Sequence, residues 1–215
     1  MTEKNSGEQF LDKAYALETP ADNAAFYDDF AAHYDAQFVD ELGYIYPQII
    51  RDALARHGRS TDRPIADIGC GTGLVAQALG VSADEIEGFD ISAGMLKIAA
   101  QKQLYCGLHR VDLSQQQSPP SRPFGALVSA GTFTHGHLGP EAIDNVLPLA
   151  KAGALFLIGV KASHFDQAGF RTHLDALHGT GAIAPYHTEN IVAYEKAGHE
   201  HSASDVEVLV FRKAI

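Results

Sequence analysis

The sequence predicts an α/β protein in which one open, largely parallel sheet is covered by helices on both faces. From residue 64 onward, apolar strand-like runs alternate with helical patterns, as expected when each crossover between parallel strands is a helix. Three glycines crowd the loop after the first run, and acids stand at the ends of the first three runs.

Strands are expected at 64–68 (PIADI), 85–89 (EIEGF), 108–112 (LHRVD), 125–129 (GALVS) and 154–160 (ALFLIGV), with helices at 73–80, 92–103 and 140–150 between them. The last of these helices has a legible start. Gly139 can cap it, Pro140 suits the first helical position, and Glu141 favours the positive end of the helix dipole. Beyond Val160 come a helix near 165–178 and two β-rich runs, 189–195 and 205–212, expected to close the sheet edge as an antiparallel pair. The stretch QQQSPPSRP (115–123) reads as a surface loop.

Residues 1–63 read as a helical cap on a core domain of residues 64–215. In AFYDDFAAHYDAQF, Phe26 or Tyr27, Phe30, Tyr34 and Phe38 recur at helical spacing after a Thr19-Pro20 start. Gly43 stops that helix, and Pro47 begins another that turns Ile50 and Leu54 inward before His57-Gly58 ends it. The segment is too small for a core of its own and must pack on the sheet.

The chain has 215 residues, 46% of them apolar, enough for one substantial core. No run approaches the roughly 20 apolar residues of a membrane span, and MTEKNSGEQF has neither the basic start nor the apolar stretch of a secretory signal. Cys70 and Cys106 are the two cysteines, and a disulfide at Cys70 would obstruct the glycine loop, so a reducing, cytoplasmic setting is expected. The net charge of −11 is spread along the chain without a Lys/Arg run. That argues against nucleic acid and membranes as partners and for small molecules or proteins. Oligomeric state is not legible.

In ADIGCGTGLVA (66–76), three glycines in five residues let the backbone approach a ligand where side chains would collide. The dinucleotide fingerprint that begins at Gly69 would need glycine at 74, where Leu74 stands, and the loop lacks the Lys-Ser/Thr ending of a P-loop. Asp67, just before the loop, suits a cationic ligand group better than a pyrophosphate. Asp90, ending GFD, can accept hydrogen bonds from both hydroxyls of a ribose. Asp112 can accept the amine of an adenine, with Ile91 and Met95 against the ring. Each acid alone can equally be a helix cap; together they describe a ligand with an ammonium, a ribose and an adenine.

With DIGCGTG, FDIS..ML and VDL in this order and spacing, the chain resembles the class I S-adenosylmethionine-dependent methyltransferases over about 66–160. The resemblance implies a Rossmann-like seven-stranded sheet of order 3-2-1-4-5-7-6 with the last strand antiparallel. It implies S-adenosylmethionine as cofactor and S-adenosylhomocysteine as product. Carried onto this chain, it places Gly69, Cys70 and Gly71 along the methionine part, Asp90 on the ribose, Met95, Asp112 and Leu113 at the adenine, and Ser129 and Tyr34 at the cofactor. YDDFAAHYD, LGYIYP and GTFTHGHL resemble more narrowly the methyltransferase-like proteins of the Williams-Beuren syndrome region and their bacterial relatives. One departure is Phe124-Gly125, where many class I enzymes have Phe-Asp.

The loop SAGTFTHGHLGP (129–140) follows the fourth strand, across the switch point of strand order from the glycine loop. His135 and His137 are therefore the candidate catalytic residues, as a general base or acceptor contact, against the plainer reading that they fix the loop by hydrogen bonding. Two histidines around one glycine supply at most two metal ligands, and no residue nearby is spaced to complete a site. His199 and His201 read as a solvated turn. The expected activity is methyl transfer to a small molecule. The alternatives are a cofactor-binding sensor or partner module without transfer, and a protein methyltransferase; a nicotinamide enzyme is disfavoured by Leu74.

Overall fold

The computed structural model describes residues 6–36, 43–192 and 205–215. Phe38, His199 and His201 lie outside them. In chain order the elements are α1 (Ser6–Tyr15), α2 (Pro20–Phe30), α3 (Tyr46–His57), β1 (Ile65–Ile68), α4 (Leu74–Leu79), β2 (Ile86–Asp90), α5 (Ala93–Lys102), β3 (Gly107–Arg110), β4 (Phe124–Phe133), α6 (Glu141–Val146), β5 (Ala150–Lys161), α7 (Ala162–Gln167), α8 (Phe170–Gly179), β6 (His187–Val192) and β7 (Asp205–Arg212). The strands form one seven-stranded sheet, β3-β2-β1-β4-β5-β7-β6. β1 to β5 pair in parallel, and β7 runs antiparallel to both β5 and β6.

Strand alternation divides the core. Ile65, Val128, Leu155, Leu157 and Val208 face a layer that includes α1, α3 and α4, while Ala66, Ile68, Leu127, Phe156, Ile158 and Leu209 face α6 and α8. Both faces of the central strands are dry, which is why these runs read as continuously apolar. α3 joins the first layer directly, with Ile50 and Ala53 fully buried. α1 and α2 meet through aromatic rings: Phe10 stacks on Phe30 at 4.3 Å and lies 5.1 Å from Phe26.

Several expected elements differ in extent. The single helix expected near 165–178 is two, because Gly169 at φ 80° turns the chain between α7 and α8. β4 runs past its expected end to Phe133 and β5 begins before its expected start, at Ala150, and a register shift between Ser129 and Phe133 carries β4 into the histidine loop. The first layer is closed against β7 by the buried carboxylate of Asp62, which takes both terminal nitrogens of Arg212 at 3.0 and 2.9 Å. No helix among the described residues is long and apolar enough to cross a membrane.

Candidate cofactor and acceptor site

The loop after β1 is built from its backbone. Gly69 N and Cys70 N both donate to Phe89 O, at 2.8 and 3.0 Å, which pins the loop to β2. Gly69 has φ 68°, and a Cβ on it would stand 1.9 Å from Thr132 Oγ1, so the end of β4 packs directly on the loop. Gly71 differs: a Cβ there would meet nothing within 4 Å. It opens onto a cavity at the carboxyl ends of β1, β2 and β4, where the strand order reverses.

Asp90 stands in the wall of that cavity. Its Oδ2 accepts Gly71 N at 2.8 Å and its Oδ1 accepts Ser92 N at 2.9 Å. Burial raises its pKa above the usual carboxylate range, against the pull of these N–H groups. Asp112 uses Oδ1 for Ser114 N at 2.9 Å and Ser114 Oγ at 2.6 Å, leaving Oδ2 unengaged among the described residues. Ile91, Met95, Val111, Leu113 and Leu138 make the rest of the wall apolar. An open glycine cradle beside a carboxylate, followed by an apolar slot edged by a second carboxylate, fits a ligand with a ribose and a flat heterocycle.

The N-terminal segment roofs the cavity with Pro20, Asn23, Tyr27 and Tyr34. Two acids fasten it. Asp28 Oδ1 accepts Ser92 Oγ at 2.6 Å and Gly94 N at 2.7 Å at the start of α5, and the Ser92 bond foremost holds its pKa below the usual range. Asp35 accepts Thr72 Oγ1 at 2.6 Å and Lys102 Nζ at 2.7 Å. Sequence reasoning missed both clasps, because acids on the polar side of a helix carry no local mark that a neighbouring helix end will meet them.

Four expected site residues do not face this cavity. Asp67 points to the first core layer, fully buried beneath Tyr105, whose hydroxyl donates to its Oδ2 at 2.7 Å. Alternation within β1 puts it there, so it is not the partner of a cationic ligand group. Cys70 is buried against β2, with its Sγ close to Gly88, and burial pushes its thiol pKa up. Ser129 is fully buried and donates from Oγ to Ile68 O at 2.7 Å, a bond between neighbouring strands. His135 turns toward α7, with Nε2 3.3 Å from Ser163 Oγ and its ring 4.7 Å from that of His164. Tyr34, Gly69, Gly71, Asp90, Ile91, Met95, Asp112 and Leu113 all line the cavity.

His137 lines it too. Its Nδ1 donates to His135 O at 3.0 Å, which fixes the tautomer and leaves Nε2 to accept the Tyr27 hydroxyl at 2.9 Å. Burial lowers the His137 pKa, so the ring is in its neutral form at neutral pH. Burial also raises the Tyr27 pKa, which disfavours a free phenolate. A second cavity shares Tyr27, Tyr34, Gly131 and His137 with the first and extends beneath α1 toward Lys161. The two cavities thus meet at the Tyr27–His137 pair.

Sequence reasoning also missed a cluster at the far sheet edge, where His57, His187 and Glu189 bring ligand atoms within 4.8 Å of one another. Its residues come from α3 and β6, so no sequence spacing announces it. Glu189 is engaged there by Arg56 and by His57 Nε2 at 2.6 Å.

The sheet order, the glycine cradle and the acid-edged slot define the class I S-adenosylmethionine-dependent methyltransferase architecture. Residues 65–153 match the family described as methyltransferase domain. Over this stretch the chain is similar to methyltransferase domains, in line with the motifs of the glycine loop and the two acids. It is 33% identical over 154 residues to human methyltransferase-like protein 27, a match covering 70% of this chain and 62% of that protein. It thus spans less than two thirds of that relative. Among solved structures, the N-methyltransferase NodS of Bradyrhizobium japonicum, in complex with S-adenosylhomocysteine, superposes at TM-score 0.62 with 16% identity, covering 88% of this chain and 97% of that one. The [4+2]-cyclase SpnF superposes at TM-score 0.63 with 15% identity, covering 93% and 98%. These likenesses establish the fold.

Proposed function

We propose that the chain transfers the methyl group of S-adenosylmethionine to a small-molecule acceptor, with Tyr27 and His137 receiving the acceptor's proton. The observation that carries this reading is the meeting of the two cavities at a hydrogen-bonded Tyr27–His137 pair. When bound, the cofactor supplies a sulfonium-activated methyl group and leaves as S-adenosylhomocysteine. In this reading Asp90 holds the ribose hydroxyls, Asp112, Leu113, Ile91 and Met95 hold the adenine, Gly69 and Gly71 line the methionine part, and Tyr34 closes the roof. As an acceptor hydroxyl attacks, its proton passes to Tyr27 Oη while the Tyr27 proton moves to His137 Nε2. The imidazolium so formed keeps its Nδ1–H on His135 O, and no free phenolate is needed. The roof of α1 and α2 excludes water and favours a small acceptor over a protein side chain. The narrower likeness to the Williams-Beuren region proteins assigns no acceptor.

Titration calorimetry with S-adenosylhomocysteine tests the cofactor half. Asp90→Ala should weaken binding by about tenfold to a hundredfold, the loss of charge-assisted hydrogen bonds worth ~1.5–3 kcal/mol. A well-folded wild-type chain that gives no heat overturns the reading. Because a cyclase shares the fold, transfer is tested separately: His137→Ala should keep S-adenosylhomocysteine binding and lose turnover, and unchanged turnover removes His137 from the mechanism.

A further inference from the structure

We propose that the second cavity is the acceptor pocket and that it takes a small, flat, apolar carboxylic acid whose carboxylate is held by Lys161. This rests on the methyl-transfer reading above. The rings of Phe10, Tyr15, Tyr27, Tyr34, Tyr44 and Tyr46 line the cavity, which therefore offers planar, weakly polar walls to a planar guest. Five of the chain's eight tyrosines stand there.

One end of this aromatic chamber carries a cation. Lys161 closes β5, and its Nζ lies 3.7 Å from the centroid of the Tyr15 ring. Among the described residues no carboxylate pairs with it, and Asp205, the acid of the same lining, exerts no charge effect on it. Burial alone lowers its pKa, with no carboxylate opposing that shift. An ammonium partly withdrawn from water and resting on one ring is incompletely compensated, and a ligand carboxylate would complete it. A second group supports the same polarity: Thr134, also in the lining, is buried and its Oγ1 has no hydrogen-bond partner among the described residues. Its hydroxyl can donate to a carboxylate oxygen. An amine in this cavity would instead meet Lys161 as a like charge. With the carboxylate at Lys161, the opposite end of the acid reaches toward Gly131 and His137, where the cavities join.

Titration calorimetry on the full chain, first saturated with S-adenosylhomocysteine, would compare 4-hydroxybenzoate, 4-hydroxybenzamide and tyramine. The acid should bind about tenfold tighter than the amide, and tyramine most weakly. Lys161→Met should erase the preference for acid over amide while leaving S-adenosylhomocysteine affinity unchanged, and Lys161→Arg should retain it. An amide that equals the acid, tyramine as the tightest ligand, no binding by any of the three, or a preference that survives in Lys161→Met overturns the proposal. If Lys161→Met does not fold, the wild-type ranking decides. Should S-adenosylhomocysteine itself fail to bind, the methyl-transfer reading falls, and the same three probes on the unliganded chain still decide the acid pocket.

Discussion

Replacing Asp67 with asparagine should abolish a pH-dependent loss of stability. The carboxylate is fully buried in β1, with Oδ2 on the Tyr105 hydroxyl at 2.7 Å and Oδ1 without a partner among the described residues. Burial is the chief cause that pushes its pKa from 3.8 up to about 7, with the Tyr105 bond opposing and the nearby Asp90 charge adding. A group whose folded pKa is raised contributes stability fully below its unfolded value and loses it as pH climbs through the folded value. A shift of about three pH units at ~1.4 kcal/mol each is a total of about 4 kcal/mol. Integrated over the titration, about 3 kcal/mol of that is lost between about pH 5 and about pH 9, the rest at lower pH. Asparagine cannot ionise, so its own cost, an amide needing an acceptor, is the same at every pH. Urea unfolding of both proteins across this range isolates the effect, because all other titrations cancel in the difference. The variant should gain about 3 kcal/mol on the wild type from the acid to the alkaline end. A difference constant within ~0.5 kcal/mol would show that Asp67 is not ionising in a dry site, and would refute the reasoning.

Asp62→Ala should destabilise the fold by about 3 kcal/mol in denaturant unfolding, because it leaves the Arg212 guanidinium largely buried without its carboxylate. Gly131→Ala should cost ~1–3 kcal/mol: Gly131 has φ 82°, and the added Cβ would stand 2.5 Å from the Tyr44 hydroxyl at the junction of the cavities. A melting temperature equal to the wild type would argue against that close approach. In Tyr27→Phe, loss of a bond worth ~1 kcal/mol to the neutral ring should let His137 titrate at a pH higher by roughly 0.7, read by histidine NMR. A titration unmoved or moved downward would mean that the hydroxyl does not donate to Nε2.

The alternation of strand and helix, the glycine loop and the acids at 90 and 112 were legible because each is written locally. Period and turn chemistry depend on neighbours in the chain, and a carboxylate ending a parallel strand emerges on the ligand side whatever its distant partners are. Legibility failed where facing mattered. Asp67 and Asp90 both belong to strands beside the glycine loop, yet one turns into the core and the other into the cavity. His135 and His137 are two residues apart, but the bend at Gly136, φ 77°, and the bond from His137 Nδ1 to His135 O send one ring to α7 and the other to Tyr27. The histidine pair read from SAGTFTHGHLGP is thus one cavity residue and one outer residue. The partner of the inner one, Tyr27, lies 110 positions earlier, on a helix whose aromatic spacing reads only as packing. Local pattern settles which element a residue joins; which side chains meet is settled by packing between elements far apart in sequence, where Asp28 can find Ser92 and Lys161 can find the ring of Tyr15.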